Sequence, residues 1–268
     1  MSGTKVEIIY TDNDIIVVNK PAGVSVTRDR TGASWLADIL AKHLGTETAG
    51  RLRLVHRLDK DTSGVMILAK TKESQSLFSG YFAKRVVTKT YLALVAGPIS
   101  NRKGTVNASL APNRKKPQLM CVNQKKGKKA VTEWRLLADF GSIALLFVKP
   151  LTGRTHQIRA HLAAIGLPLA IDPLYGSSRP IFLSDYKLHY QLRRGKTEKP
   201  LIDRLTLHSY QIQLTEPSPN LPDCFIAGLD KKFAATIKML TKHNPIGPDA
   251  FINPPDFSKI INIRKIDY

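Results

Sequence analysis

His56-Arg57-Leu58-Asp59-Lys60-Asp61-Thr62-Ser63-Gly64-Val65-Met66-Ile67-Leu68-Ala69-Lys70-Thr71 sets one carboxylate, Asp59, between two apolar runs. Leu52, Leu54 and Val55 lead in, and Val65 to Leu68 lead out. A buried charge without a partner is costly, so Asp59 has either a partner or a task. The partner reading is a structural ion pair with a nearby arginine; the task reading is a carboxylate kept for chemistry. Spacing alone leaves both open. Asp61 stands beside the Thr-Ser-Gly turn and is the more ordinary acid, with an Asx-turn bond to Thr62 or Ser63 within reach.

Working outward, other short runs stand in order along the chain. Asn19-Lys20-Pro21-Ala22-Gly23-Val24 precedes the quoted stretch, and Lys89-Thr90-Tyr91-Leu92-Ala93-Leu94-Val95-Ala96-Gly97 follows it. Then come Ala130-Val131-Thr132-Glu133-Trp134, the run Leu151-Thr152-Gly153-Arg154-Thr155-His156-Gln157-Ile158-Arg159-Ala160-His161-Leu162, and Leu207-His208-Ser209. Together, in this order and at compatible spacing, they resemble the RluA-type pseudouridine synthases over about residues 5 to 228. One departure is Ile171, in Pro168-Leu169-Ala170-Ile171-Asp172-Pro173-Leu174-Tyr175-Gly176, where the family carries a glycine. A different local turn is the expected consequence.

The resemblance implies an α+β fold: a curved mixed, largely antiparallel sheet flanked by helices, with a central catalytic cleft. Residues 1–228 are expected to form the catalytic domain, and 229–268 a C-terminal helix and tail. Local patterns agree with the α+β class, because strands outnumber helices and do not alternate with them one for one. Asp14 to Asn19 reads as a strand stopped by Pro21. Trp35, Leu36, Ile39, Leu40 and Leu44 predict a helix, with Ser34 as N-cap and Gly45 as its end. Leu77, Phe78, Tyr81 and Phe82 predict a second, with this aromatic stripe in the core. Tyr91 to Val95 predicts an alternating strand, and Ile143 to Val148 an apolar one. Thr155 is expected to cap a helix from His156 to Ile165, and Asp230 one carrying Phe233, Ile237, Met239 and Leu240.

Charge points to the partner independently. The chain has 41 Lys and Arg against 21 Asp and Glu, a formal charge of +20. Such an excess favours a polyanion and steers it from a distance. Residues 101 to 129 hold nine basic residues and no acid, and Arg193-Arg194-Gly195-Lys196 is a further cluster. The alternative for a basic run is a solvated loop. Residues 185 to 200, with Tyr186 and Tyr190, look like a basic insertion. A membrane partner is not expected: no strongly amphipathic basic helix is present, and Leu162 to Ile171 is too short to span a bilayer. Cys121 and Cys224 have no redox or zinc spacing. A soluble, cytoplasmic monomer is the expectation.

The resemblance also implies the chemistry: isomerisation of specific uridines to pseudouridine in structured RNA, tRNA or ribosomal RNA. No cofactor and no metal are expected, since the conversion has no net redox change and needs no group donor. Resemblance assigns catalysis to Asp59, as nucleophile or base at the sugar; to Tyr91, which stacks on the flipped uracil and relays a proton; and to Arg159, which keeps the carboxylate ionised. Arg57 resembles the residue that displaces the flipped nucleotide. Arg154 is the competing arginine, a phosphate contact or loop brace. His156 is a packing residue or an RNA contact, and Ile158 and Leu207 wall the base pocket. Two rivals stand beside this reading. A catalytically silent RNA-binding or chaperone protein of the same fold is opposed by the intact Asp59, Tyr91 and Arg159. A nuclease or methyltransferase would want a carboxylate cluster or a glycine-rich cofactor loop, and neither is evident.

Overall fold

A computed structural model describes residues 5–28, 35–192, 195–216 and 221–252. Ser34, Arg193, Arg194 and the tail from 253 onward lie outside the described residues. In chain order the elements are β1 (Glu7–Thr11), β2 (Ile15–Lys20), α1 (Leu36–Leu44), α2 (Thr46–Arg51), β3 (Arg53–Leu54), β4 (Ser63–Ala69), α3 (Lys72–Lys84) and β5 (Val87–Ala96). Then follow β6 (Lys103–Asn107), β7 (Leu110–Pro112), β8 (Met120–Val122), β9 (Val131–Asp139), β10 (Ile143–Pro150), α4 (Gln157–Ala164), β11 (Leu207–Leu214), β12 (Cys224–Ile226) and α5 (Lys231–His243). Strand pairing is mixed and largely antiparallel, as the α+β expectation requires. Pairs β1–β2, β2–β4, β3–β4, β6–β9, β9–β10 and β11–β12 are antiparallel, and β4–β11 is parallel.

The chain divides into two compact units, one of residues 1–91 and 208–228, the other of 92–207 and 229–268. In the first, the strand order is β1-β2-β4-β11, with β3 beside β4 and β12 beside β11. All seven residues of β4 are buried, because strands flank it and side chains cover both its faces. That is why Val65 to Ala69 is a continuous apolar run rather than an alternating one. Its first residues pair in parallel with β11, Ser63 with His208 and Gly64 with Ser209. Gly64 is obligatory here: its φ is +114°, and a Cβ at this position would lie 2.0 Å from the Ser209 carbonyl oxygen. Ile15, Val17, Val65, Ile67, Phe78, Val87, Ile212 and Phe225 form the core of this unit.

The helix expected near Trp35 is α1, ended at Gly45 with φ +79°, and the chain then turns straight into α2. The aromatic stripe lies on α3, which Thr71 caps by accepting from Ser74 N at 3.0 Å. Phe78 is buried, and Tyr81 and Phe82 pack on the same core. Leu77 departs from the expected stripe: it is half exposed, because the stripe is narrower than its spacing suggests.

In the second unit the strands β5-β10-β9-β6 run in that order, and β7 pairs with β8 alone. The expected alternation over Tyr91 to Val95 is absent. All five side chains are buried, so both faces of this part of β5 are covered. Asp230 caps α5 as expected, accepting from Lys232 N and Phe233 N, and Phe233, Ile237 and Leu240 are buried. Thr155 does not cap α4. The N-cap position is His156, in the left-handed region at φ 50°, and Gln157 N donates to the Arg154 carbonyl at 3.1 Å instead. Ile171 needs no glycine-like backbone. It is not among the residues with positive φ, and it exchanges hydrogen bonds with Thr206.

Candidate active site

Asp59 ends the loop that enters β4. Its carbonyl accepts Thr62 N at 3.2 Å, which closes the turn, and its side chain is half-buried. Asp61 is exposed, and its carboxylate makes no Asx-turn bond among the described residues. Arg57 is exposed. The turn is anchored from below by Lys20, which is fully buried. Its ammonium donates to the carbonyls of Pro21, Val24 and Lys60, at 3.0, 2.8 and 2.9 Å. Three carbonyl dipoles compensate that buried charge and tie the residue after Asp59 to the loop beyond β2.

Tyr91 lies on β5 in the same unit and is 8% exposed. Burial is the main reason its phenol is pushed up to about 12, and the negative charge of Asp59 adds to the rise. The Ser209 hydroxyl on β11 pulls the other way. At neutral pH the phenol is protonated, with an acid group beside it whose charge it senses. Two residues before Tyr91, the Lys89 amine is held below its ordinary range by burial. His56 is pushed down to about 3, first by burial and then by the positive charge of Lys89. The neutral ring fits its surroundings, since Nε2 accepts Ile67 N at 3.0 Å and the ring stacks on Phe82 with centroids 4.5 Å apart.

Ser63 and His208 look like a hydroxyl–imidazole pair, at 2.9 Å. It is a structural latch rather than an activated nucleophile. His208 Nε2 lies 3.1 Å from the Ala227 carbonyl, so Nε2 must carry the proton. Nδ1 then accepts from Ser63, and the pair joins β4 to β11.

In the second unit, α4 presents Arg159 from a buried face. Its Nε and Nη2 donate to both oxygens of Asp172, at 2.8 and 2.7 Å, and its guanidinium lies 5.2 Å from the Tyr175 ring centroid. Asp172 is fully buried and also receives Leu174 N and Tyr175 N. His156 Nδ1 lies 3.2 Å from the Tyr175 hydroxyl, so Arg159, Asp172, Tyr175 and His156 form one cluster. His161 is buried elsewhere, between Thr132 Oγ1 and the Ala108 carbonyl, and does not share a site with His156. Arg154 is exposed and braces a loop through the Lys129 carbonyl at 3.3 Å. Ile158 and Leu207 are both buried.

Asp59 and Tyr91 are thus neighbours in the first unit, and Arg159, His156 and Ile158 belong to α4 and its cap in the second. Sequence reasoning missed Asp172, although its signal was of the same kind as that of Asp59: a lone acid after an apolar run. It also did not single out Lys89 and Ser209, although both stand in the motif runs around Tyr91 and His208. Among the described residues no group of three or more His, Cys, Asp and Glu stands ready for a metal ion, and no helix is long and apolar enough to cross a membrane.

The family model for RNA pseudouridylate synthase matches residues 14–164, a span that includes Asp59, Tyr91 and Arg159. The chain is 34% identical over 214 residues to ribosomal large subunit pseudouridine synthase D of Borreliella burgdorferi, covering 74% of this chain and 65% of that one. It thus spans just under two thirds of the length of that relative. It is 33% identical over 264 residues to the protein of the same name from Haemophilus influenzae, covering 97% of this chain and 71% of the other. Among solved structures it is similar to human RNA pseudouridylate synthase domain containing 1, with a TM-score of 0.62, 26% identity, and coverage of 90% of this chain and 97% of that one. With the sheet, the ordered motifs and these relatives in agreement, the chain belongs to the RluA-type family of RNA pseudouridine synthases.

Proposed function

We propose that this protein isomerises specific uridines to pseudouridine in structured RNA, ribosomal RNA or tRNA, as a cytoplasmic monomer. The observation that carries this reading is the placement, in one unit, of the Asp59 carboxylate near enough to the buried Tyr91 for its charge to act on the phenol. The reaction breaks the bond from the ribose carbon to the uracil nitrogen and forms one to uracil C5. The C5 proton leaves to water and the nitrogen takes one up, so atoms and electrons balance without a cofactor. Asp59 acts at the sugar, as nucleophile or base. Tyr91 stacks on the extruded base and passes on the C5 proton. Arg159, its fork held by both oxygens of Asp172, is assigned to catalysis by the family motif.

RNA binding falls to the basic segments, and the local fold supports that. Asn113 Oδ1 accepts from Lys115 N and Lys116 N, and Asn123 Oδ1 from Lys125 N and Lys126 N. Each Asx-turn holds its two lysines exposed at a fixed place on the surface. A fixed cationic turn suits phosphate better than a floppy chain does, because binding it orders less of the chain. Arg57 and His156 are assigned to the substrate, and Ile158 and Leu207 to the wall of the base pocket.

The test is single-turnover release of tritium from RNA labelled at uracil C5. Release that depends on Asp59 is the expected result. RNA binding with no release would instead favour a catalytically silent RNA-binding protein.

A further inference from the structure

Ser209 is 1% exposed, and its hydroxyl has no hydrogen-bond partner among the described residues. An unpaired buried hydroxyl is costly, so a polar neighbour within its reach should engage it. Its backbone is not free to move away. Gly64 packs against it so closely that even a Cβ there would clash, and Ser209 is held in register beside it.

On β5, the strand next to β11, stands Tyr91. Leu94 N bonds to the Thr206 carbonyl at 3.1 Å, and Tyr91 is three residues before Leu94 while Ser209 is three after Thr206. Counting down this antiparallel ladder sets the two opposite each other, with side chains on one face. A one-residue irregularity intervenes before the next marker, the bond from Thr215 N to the Val86 carbonyl. The hydroxyl is near enough to the phenol to draw its pKa down, against burial and against Asp59. The two hydroxyls interact without meeting full hydrogen-bond geometry, so a small shift of either side chain completes the bond.

We propose that Ser209 is a positioning residue for Tyr91: its hydroxyl donates to the phenol oxygen, aims that oxygen at the base, and eases negative charge on it. The inference rests on the pseudouridine synthase reading. A phenol with its ordinary proton held this tightly is a poor proton carrier. A donor at its oxygen moves it toward the working pH, where proton transfer is most effective. The sequence marks Ser209 only as the end of the Leu207-His208-Ser209 run and gives it no role.

The experiment uses the full chain with Ser209→Ala and Ser209→Thr, and Tyr91→Phe to assign the tyrosinate signal. Two readouts are taken: the absorbance titration of Tyr91, and the pH profile of single-turnover tritium release at saturating RNA. Ser209→Ala should raise the Tyr91 pKa and slow release at neutral pH by about tenfold, the equivalent of one pKa unit. RNA affinity should stay near wild type. Ser209→Thr keeps the hydroxyl and should restore both readouts, since a β-branched residue suits a strand. An Ala variant with wild-type titration and pH profile overturns the proposal. So does one that loses RNA affinity at an unchanged rate, because the hydroxyl would then bind the base. If wild type releases no tritium, the function reading fails, while the Tyr91 titration still decides whether Ser209 acts on the phenol.

Discussion

Arg159 gives two donors to both oxygens of Asp172, and neither side chain is more than 6% exposed. A pair buried this deeply is held by geometry, and breaking it strands a charge in the interior. Replacing either residue with Ala should cost about 3 to 5 kcal/mol of stability. Arg159→Lys should not rescue fully, because an ammonium lacks the planar fork. Urea unfolding of both single variants and the double variant checks this. Additive losses would mean the two residues do not act as a pair.

Asp59→Asn should abolish pseudouridine formation and leave RNA affinity near normal, because the amide keeps the shape but can be neither base nor effective nucleophile. Asp61→Asn should retain most activity, as its carboxylate is exposed and outside the turn's bonding. Substantial turnover by the Asp59 variant, purified away from host enzyme, would sink the assignment.

Tyr91→Phe should keep base stacking but lose the chemical step, while Tyr91→Ala should also weaken binding by about 1 to 3 kcal/mol of stacking. Wild-type turnover by the Phe variant would reduce Tyr91 to a platform.

His56 makes stability depend on acid. Its folded value is about 3 against 6.5 for the free group, so as pH falls the unfolded chain binds this proton first. The contribution is complete above about pH 6.5 and is lost as pH falls toward 3. His56→Gln should flatten the fall of the urea midpoint across that window. An unchanged slope would mean that another group carries the acid sensitivity.

Neutralising Lys125, Lys126 and Lys128 to Gln should weaken RNA binding and leave saturating single-turnover rates near wild type. The slope of log affinity against log salt should become shallower by about 0.7 for each lysine–phosphate interaction removed in single-stranded regions. Unchanged affinity and slope would mark these turns as solvated loops.

Local rules were legible without the fold. The strand before Pro21, the α3 stripe and the Asp230 cap each depend on residues a few positions apart, and each is present in the structure. The order of the motifs identified the family for the same reason, since order and spacing are properties of the chain. Other features depended on packing that spacing does not encode. Burial of both faces of β4 and β5 erased the alternation expected for β5, because neighbours distant in sequence cover them. Thr155 lost the cap of α4 because the chain turns at His156, in the left-handed region, and Gln157 N, the donor a Thr155 cap would take, bonds to the Arg154 carbonyl. Asp172 meets Arg159 from thirteen residues away, on a loop whose backbone donors already point at the carboxylate. Ser209 gained its place opposite Tyr91 from strand pairing alone. A side chain's own sequence neighbours decide its helix or strand, but its charge state and its task depend on what folding brings against it.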